Sequence, residues 1–263
     1  MPTSKKEIFK WRSGKYCLPK KISAEKSCLA EKVSFPKIIS FYKSSTFFLF
    51  ASLIVSIGTT HAYTQPEKKC VIMLDPAGDE SHTGRVIENT FERGLTLQYA
   101  QALQEELEKR IPDCTAILAR TAGQATVALQ HATLANRMKT DLYLSIHFFQ
   151  ETGVKPTVSL YQFSYNDDQL ALPATLAFYP YDQAHRMHST QTSAWIGILK
   201  AKLAAESCKK GCEVKGAFKI PFAPLIGIIA PAIGIEAGLI HGTDWHLLIE
   251  PIVQSIITFK GNQ

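Results

Sequence analysis

The sequence predicts an α/β fold of three layers, in which a mostly parallel, twisted sheet is flanked by helices. Two observations predict it. From Cys70 onward, short apolar runs of β type alternate with longer stretches of helical periodicity, the order in which an α/β domain lays down its strands and helices. Hydrophobic residues make up 46% of the chain and charged residues 20%, which suits a globular domain and excludes general disorder, a fibre or a polytopic membrane protein.

Taken in order, Val71 to Leu74 reads as the first strand, running into a polar loop, Asp75 to Glu80, with His82 just beyond. A helix follows over Leu95 to Arg110, because Leu95, Tyr99, Leu103 and Leu107 stack on one face. Thr115 to Ala119 is the second strand, and Ala125 to Lys139 the second helix. Leu142 to Ile146 and Val158 to Phe163 are the next strands. Tyr165 to Arg186, with Asn166-Asp167-Asp168, Pro173 and Tyr179-Pro180-Tyr181, interrupts both periods and reads as a surface excursion or lid. A helix over Ser193 to Glu206, a strand over Ala232 to Glu236 and a helix over Trp245 to Thr258 complete the pattern. One domain, residues 63–263 with a core at about 70–259, accounts for all of this, and no internal repeat or heptad array is visible.

Charge is distributed unevenly. The net +6 comes from the N-terminal region: residues 1–46 hold 11 basic and 3 acidic side chains, so the remainder is slightly acidic. A nucleic-acid binder needs a basic face on its folded domain, so this class is set aside. Phe47 to Ile57 is apolar and uncharged, flanked by Lys43 before it and by Thr60-His61-Ala62, a small-x-small triplet, after it. It reads as the hydrophobic part of a secretory leader, too short for a comfortable membrane span, with cleavage after Ala62. Residues 1–62 are therefore a basic leader with a signal or, if uncleaved, an anchor through 47–57. Either the true start lies later or the long basic stretch stays in the cytoplasm as a positive-inside tail. Export to the periplasm or cell envelope follows. Cys70 and Cys114 each begin a predicted strand; if the two strands are parallel neighbours, the thiols meet at one end and form a bridge. A second bridge, Cys208 to Cys212, is expected beside it, and four free thiols are the alternative.

The chemistry gathers at strand ends. Leu142 to Ile146 ends in His147, Pro231 to Ile235 ends in Glu236, and the first strand ends in Asp75 before a loop carrying His82 and a helix beginning near Glu92. Ligands of open α/β sheets bind beyond the carboxyl ends of the strands, where a His and a Glu can share one site. Glu92, His147, Glu236 and His82 are nitrogen and carboxylate donors of the kind a catalytic zinc uses, three from protein and one position for water.

These residues resemble a known family, the zinc-dependent N-acetylmuramoyl-L-alanine amidases, which cut the amide between muramic acid and L-alanine in the cell wall. Leu74-Asp75-Pro76-Ala77-Gly78 is similar to the family's strand running into D-P-G-H-G-G, and Phe91-Glu92-Arg93-Gly94-Leu95 to its Glu before a leucine-rich helix. Ala119-Arg120 stands where the family has T-R. Ala135-Asn136-Arg137-Met138-Lys139-Thr140-Asp141-Leu142-Tyr143-Leu144-Ser145-Ile146-His147 resembles A-N-x-x-x-A-D-L-F-I-S-I-H, and Pro231 to Leu239 resembles P-A-x-L-V-E-x-G-F. The resemblance implies zinc as cofactor, Glu92 and His147 as ligands, Glu236 as general base, and Asp75, Asn136 and Arg120 as residues supporting ligands or substrate. It also implies peptidoglycan or a muropeptide as partner, with a monomer expected. The family's first ligand, the His of D-P-G-H-G-G, aligns with Gly78, and His82 is the candidate substitute; the Arg five residues before the A-N asparagine is His131 here. The alternative is a degenerate domain that binds peptidoglycan or an envelope partner without cutting.

Overall fold

In the computed structural model of the chain, the residues described are 69–127, 129–165 and 180–262, with backbone alone at 206–210. The expected leader, with its apolar run 47–57, lies outside them, as do residues 166–179 of the expected lid. No helix among the described residues is long and apolar enough to cross a membrane.

Continuous apolar runs set the centre of the sheet. In β1 (Cys70–Pro76), Ile72, Met73 and Leu74 are fully buried, and in β5 (Leu142–Gln150) so are Tyr143, Leu144 and Ile146, because both faces of these strands are covered. β1 pairs in parallel with β4 (Cys114–Leu118) on one side and with β5 on the other. β5 continues the parallel run to β8 (Ala232–Leu239). β6 (Thr157–Phe163) is antiparallel to β8 and parallel to β7 (Glu213–Ile220), giving the order β4-β1-β5-β8-β6-β7. Two short strands, β2 (Val86–Ile87) and β3 (Thr90–Phe91), form a separate hairpin.

The two faces are covered unequally. α1 (Glu92–Arg110), α3 (Ser189–Lys210) and α4 (Ile249–Gly261) form one layer, with α4 packed between the other two. Their core holds Leu95, Tyr99, Leu103, Leu107, Trp195, Leu199, Ile252 and Ile256. The opposite face is closed by the short α2 (Gln130–Arg137) and the segment around Leu225 and Ile228, over Met73 and Tyr143. This is the expected three-layer sandwich, with one layer thin.

Several elements differ from expectation. The hairpin β2–β3 was not foreseen, and β5 and β8 continue past His147 and Glu236 to Gln150 and Leu239, so these two residues lie within strands rather than at their ends. α2 is shorter than Ala125 to Lys139 because Thr126 is engaged elsewhere, donating from its backbone N–H (3.0 Å) and hydroxyl (2.7 Å) to Asp79. β7 was not foreseen: an edge strand with Lys215, Gly216 and Lys219 offers no apolar run. Cys70 and Cys114 do sit opposite each other on parallel neighbours, as expected, but they are free thiols rather than a bridge. Burial and contact with Cys114 push the Cys70 thiol up to about 12. The expected bridge to Cys208 falls on a side chain outside those described.

Candidate active site at the strand ends

Glu92 opens α1, where the helix's unpaired N–H groups favour a carboxylate. It is 4% exposed. One oxygen accepts the N–H of Phe148 at 3.0 Å, and the other accepts that of Arg85 at 3.1 Å. Burial pushes its pKa up, but hydrogen bonds from His147 and from those two amides outweigh burial and hold it below the usual carboxylate range. Gly84 makes the approach possible: a Cβ there would lie 2.7 Å from the Glu92 carboxylate oxygen.

His147 lies on β5 with its Nδ1 3.6 Å from Glu92 and its Nε2 3.0 Å from the Ser145 hydroxyl. Parallel pairing of β5 with β8 sets His147 directly across from Glu236. Glu236, 20% exposed, accepts the Tyr161 hydroxyl at 2.7 Å on one oxygen and the Arg85 guanidinium at 2.6 Å on the other. Tyr161 stacks on Phe222 at 4.7 Å, and Phe222 meets the edge of His147 at 5.2 Å, so an aromatic wall backs the site.

The structure thus brings Glu92, His147 and Glu236 together and does not bring His82 to them. The His82 ring is 82% exposed and lies 3.3 Å from Asp79, on the rim of a cavity of about 450 Å³ that His147 and His131 also line. Gly78 stands in the left-handed region (φ 76°), and a Cβ there would fall 2.7 Å from that of Arg93. Asp79 is buried and organises the loop; hydrogen bonds from Thr126, then from the His82 amide, hold its carboxyl well below the usual range.

The remaining candidates have definite partners. Asp75 holds His131 rather than His147: its carboxylate lies 2.7 Å from His131 Nδ1 and accepts the Tyr143 hydroxyl at 2.6 Å. Burial lowers the His131 pKa, but the hydrogen bond and charge of Asp75 outweigh it and raise the value overall. Arg120, 3% exposed, donates to the carbonyls of Pro76, Ala77 and Arg93, each at 2.9 Å. Asn136 donates to the Gly227 carbonyl at 2.8 Å and accepts from the Ile229 N–H at 3.1 Å. Arg120 therefore locks the loop after β1, and Asn136 the segment before β8. A larger cavity, about 740 Å³, opens at the other end of β5 and β8 and is lined by none of Glu92, His147 or Glu236.

A catalytic zinc needs three protein donors and an open position. Here Glu92 and His147 meet, but both Glu92 oxygens accept backbone N–H groups and Glu236 is taken by Arg85 and Tyr161. No group of three His, Cys, Asp or Glu side chains among the described residues is arranged to hold a metal ion. As folded, the donor set does not fit zinc.

Two residues at this site, Arg85 and Tyr161, were not foreseen. Arg85 precedes a hairpin of two-residue strands, too short to give a period. Tyr161 lies in a strand that was foreseen, but its reach to Glu236 depends on the antiparallel pairing of β6 with β8.

A model of the N-acetylmuramoyl-L-alanine amidase family matches residues 72–258. Among curated proteins, the N-acetylmuramoyl-L-alanine amidase CwlM of Bacillus licheniformis is 36% identical over 76 residues, which is 29% of this chain and 30% of CwlM. Among solved structures, the catalytic domain of CwlV, an N-acetylmuramoyl-L-alanine amidase from Bacillus (Paenibacillus) polymyxa var. colistinus, superposes with a TM-score of 0.55 at 15% identity, covering 74% of this chain and 99% of that one. The amidase AmiC2 of Nostoc punctiforme gives 0.54 at 16% identity, with 73% and 98% covered. At these identities the two structures establish a shared fold.

Proposed function

The chain belongs to the N-acetylmuramoyl-L-alanine amidase family, and on that premise we propose that it acts on peptidoglycan, hydrolysing the amide between N-acetylmuramic acid and L-alanine. The observation that carries this reading is the meeting of Glu92, His147 and Glu236, from a helix start and two parallel strands, at the carboxyl end of the sheet. Hydrolysis breaks the amide C–N bond, adds hydroxide to the lactyl carbonyl and delivers a proton to the alanine nitrogen. Glu236, partly exposed and at the mouth of the site, is the base that takes the water's proton and passes it on. Tyr161 orients that carboxylate through its hydroxyl. In the family the activating ion is zinc; Glu92 and His147 are the residues of this chain that stand in its ligand positions, and a third donor is not in place.

The leader reading completes the proposal. The protein is exported by residues 1–62 and works in the periplasm or cell envelope as a monomer. Incubation of the purified protein with muropeptides, read by mass spectrometry, tests the activity: free stem peptide with an alanine amino terminus is expected. Intact muropeptide at every metal concentration tried overturns it.

A second reading is recognition of peptidoglycan without cutting. The contacts of Glu236 favour it, because Arg85 and Tyr161 occupy both of its oxygens and leave neither facing a water. Binding of sacculi with no product would establish this reading in place of the first.

A further inference from the structure

Arg85 connects both carboxylates of the site. Its backbone N–H donates to Glu92 at 3.1 Å, and the Glu92 N–H returns a bond to its carbonyl at 2.8 Å. Its guanidinium reaches across to Glu236 at 2.6 Å and lies 5.5 Å from the centre of the Phe149 ring. Two carboxylates and an imidazole converge here, and the Arg85 guanidinium is the cation beside them. We propose that Arg85 is the resident cation of the site, holding Glu236 by its guanidinium and Glu92 by its backbone N–H, and that it excludes zinc in this closed arrangement. The proposal concerns regulation of the site read above and takes its substrate from that reading; the metal test below does not depend on it.

Arg85 is built to leave. Its side chain is 49% exposed, and the hairpin that follows is held by the fully buried Ile87 and by Glu88, which bonds Gln150, His241 and Gly242. The guanidinium can therefore swing outward while its backbone stays fixed to Glu92. Swinging out frees the Glu236 oxygen that Arg85 holds and takes a positive charge away from that carboxylate.

The test is zinc binding by the purified full-length chain, measured by calorimetric titration and by metal analysis after dialysis. Wild type is expected to retain well under one zinc per chain. Arg85→Ala should bind about tenfold more tightly or better, since a unit positive charge beside Glu236 is removed. Arg85→Gln, which keeps a hydrogen-bond donor and loses the charge, should gain likewise and decides the matter if the alanine variant does not fold. Arg85→Lys should behave as wild type, and His147→Ala in the Arg85→Gln background should cancel the gain. Stoichiometric zinc in wild type, held as tightly as in the variants, overturns the proposal. So does the absence of any gain in a variant whose circular dichroism matches wild type. Muropeptide cleavage is scored separately: zinc gained without cleavage leaves the Arg85 proposal standing and removes the amidase reading, and cleavage without the gain does the reverse.

Discussion

At Gly78 a single residue decides what the loop after β1 can carry. The position resembles that of the family's first ligand, yet its φ of 76° and the 2.7 Å approach of a Cβ to Arg93 leave no space for a side chain. Gly78→His should therefore cost about 1–3 kcal/mol and restore no stoichiometric zinc. Denaturant unfolding and metal analysis check the two halves. Asp75 and His131 give a second prediction. The His131 pKa is raised in the folded state, so its contribution to stability is fully present below its unfolded value, about 6.5, and is lost as pH rises through the folded value. Asp75→Asn should flatten that part of the stability profile, as urea midpoints across neutral pH will record. Of the residues legible in the sequence, Glu92 opens its helix, and His147 and Glu236 stand opposite each other in the register of β5 and β8, so the three meet. Asp75, Arg120 and Asn136 were legible as special, but their partners were not, since those partners lie far away in sequence.

At the scale of elements, the site depends on how the loop after β1 is pinned to α1. Arg120, at the end of β4, satisfies three carbonyls of that loop and of α1's first turn from a buried position. Arg120→Met would strip those carbonyls of their donor without opening them to water. It should destabilise the fold by about 3 kcal/mol. An amide-exchange map should show the loss concentrated between residues 76 and 96. The strands of the site were visible as apolar runs, and α1 as a four-residue stack. The hairpin β2–β3 was not, because two-residue strands have no period, and it is this hairpin that delivers Arg85. β7 escaped for a related reason: one side of it is unpaired, so nothing requires it to be apolar.

At the scale of the molecule, the sheet has two working ends. Just past the carboxyl end of β1, on β5 and β8, lie the acid–base groups; where β1 and β4 begin, Cys70 faces Cys114, and Lys260 of α4 donates to the Cys114 sulfur at 2.8 Å. Oxidation there would join the edge of the sheet to its centre. It should raise stability by about 2–4 kcal/mol. Unfolding midpoints with and without reductant, compared with Cys70→Ser, check this. The sequence by itself determined the α/β class, the order of the main strands and helices, the family, and three of the residues that meet at the site. Each of these is written in local periodicity or in short ordered motifs of neighbouring residues. Only the tertiary structure decided that Gly78 admits no side chain, that His82 stays on an exposed rim, that Asp75 serves His131, and that Arg85 bonds both Glu92 and Glu236. The physical reason is that charge pairing and steric exclusion act between chain segments distant in sequence, and such contacts leave no period to read.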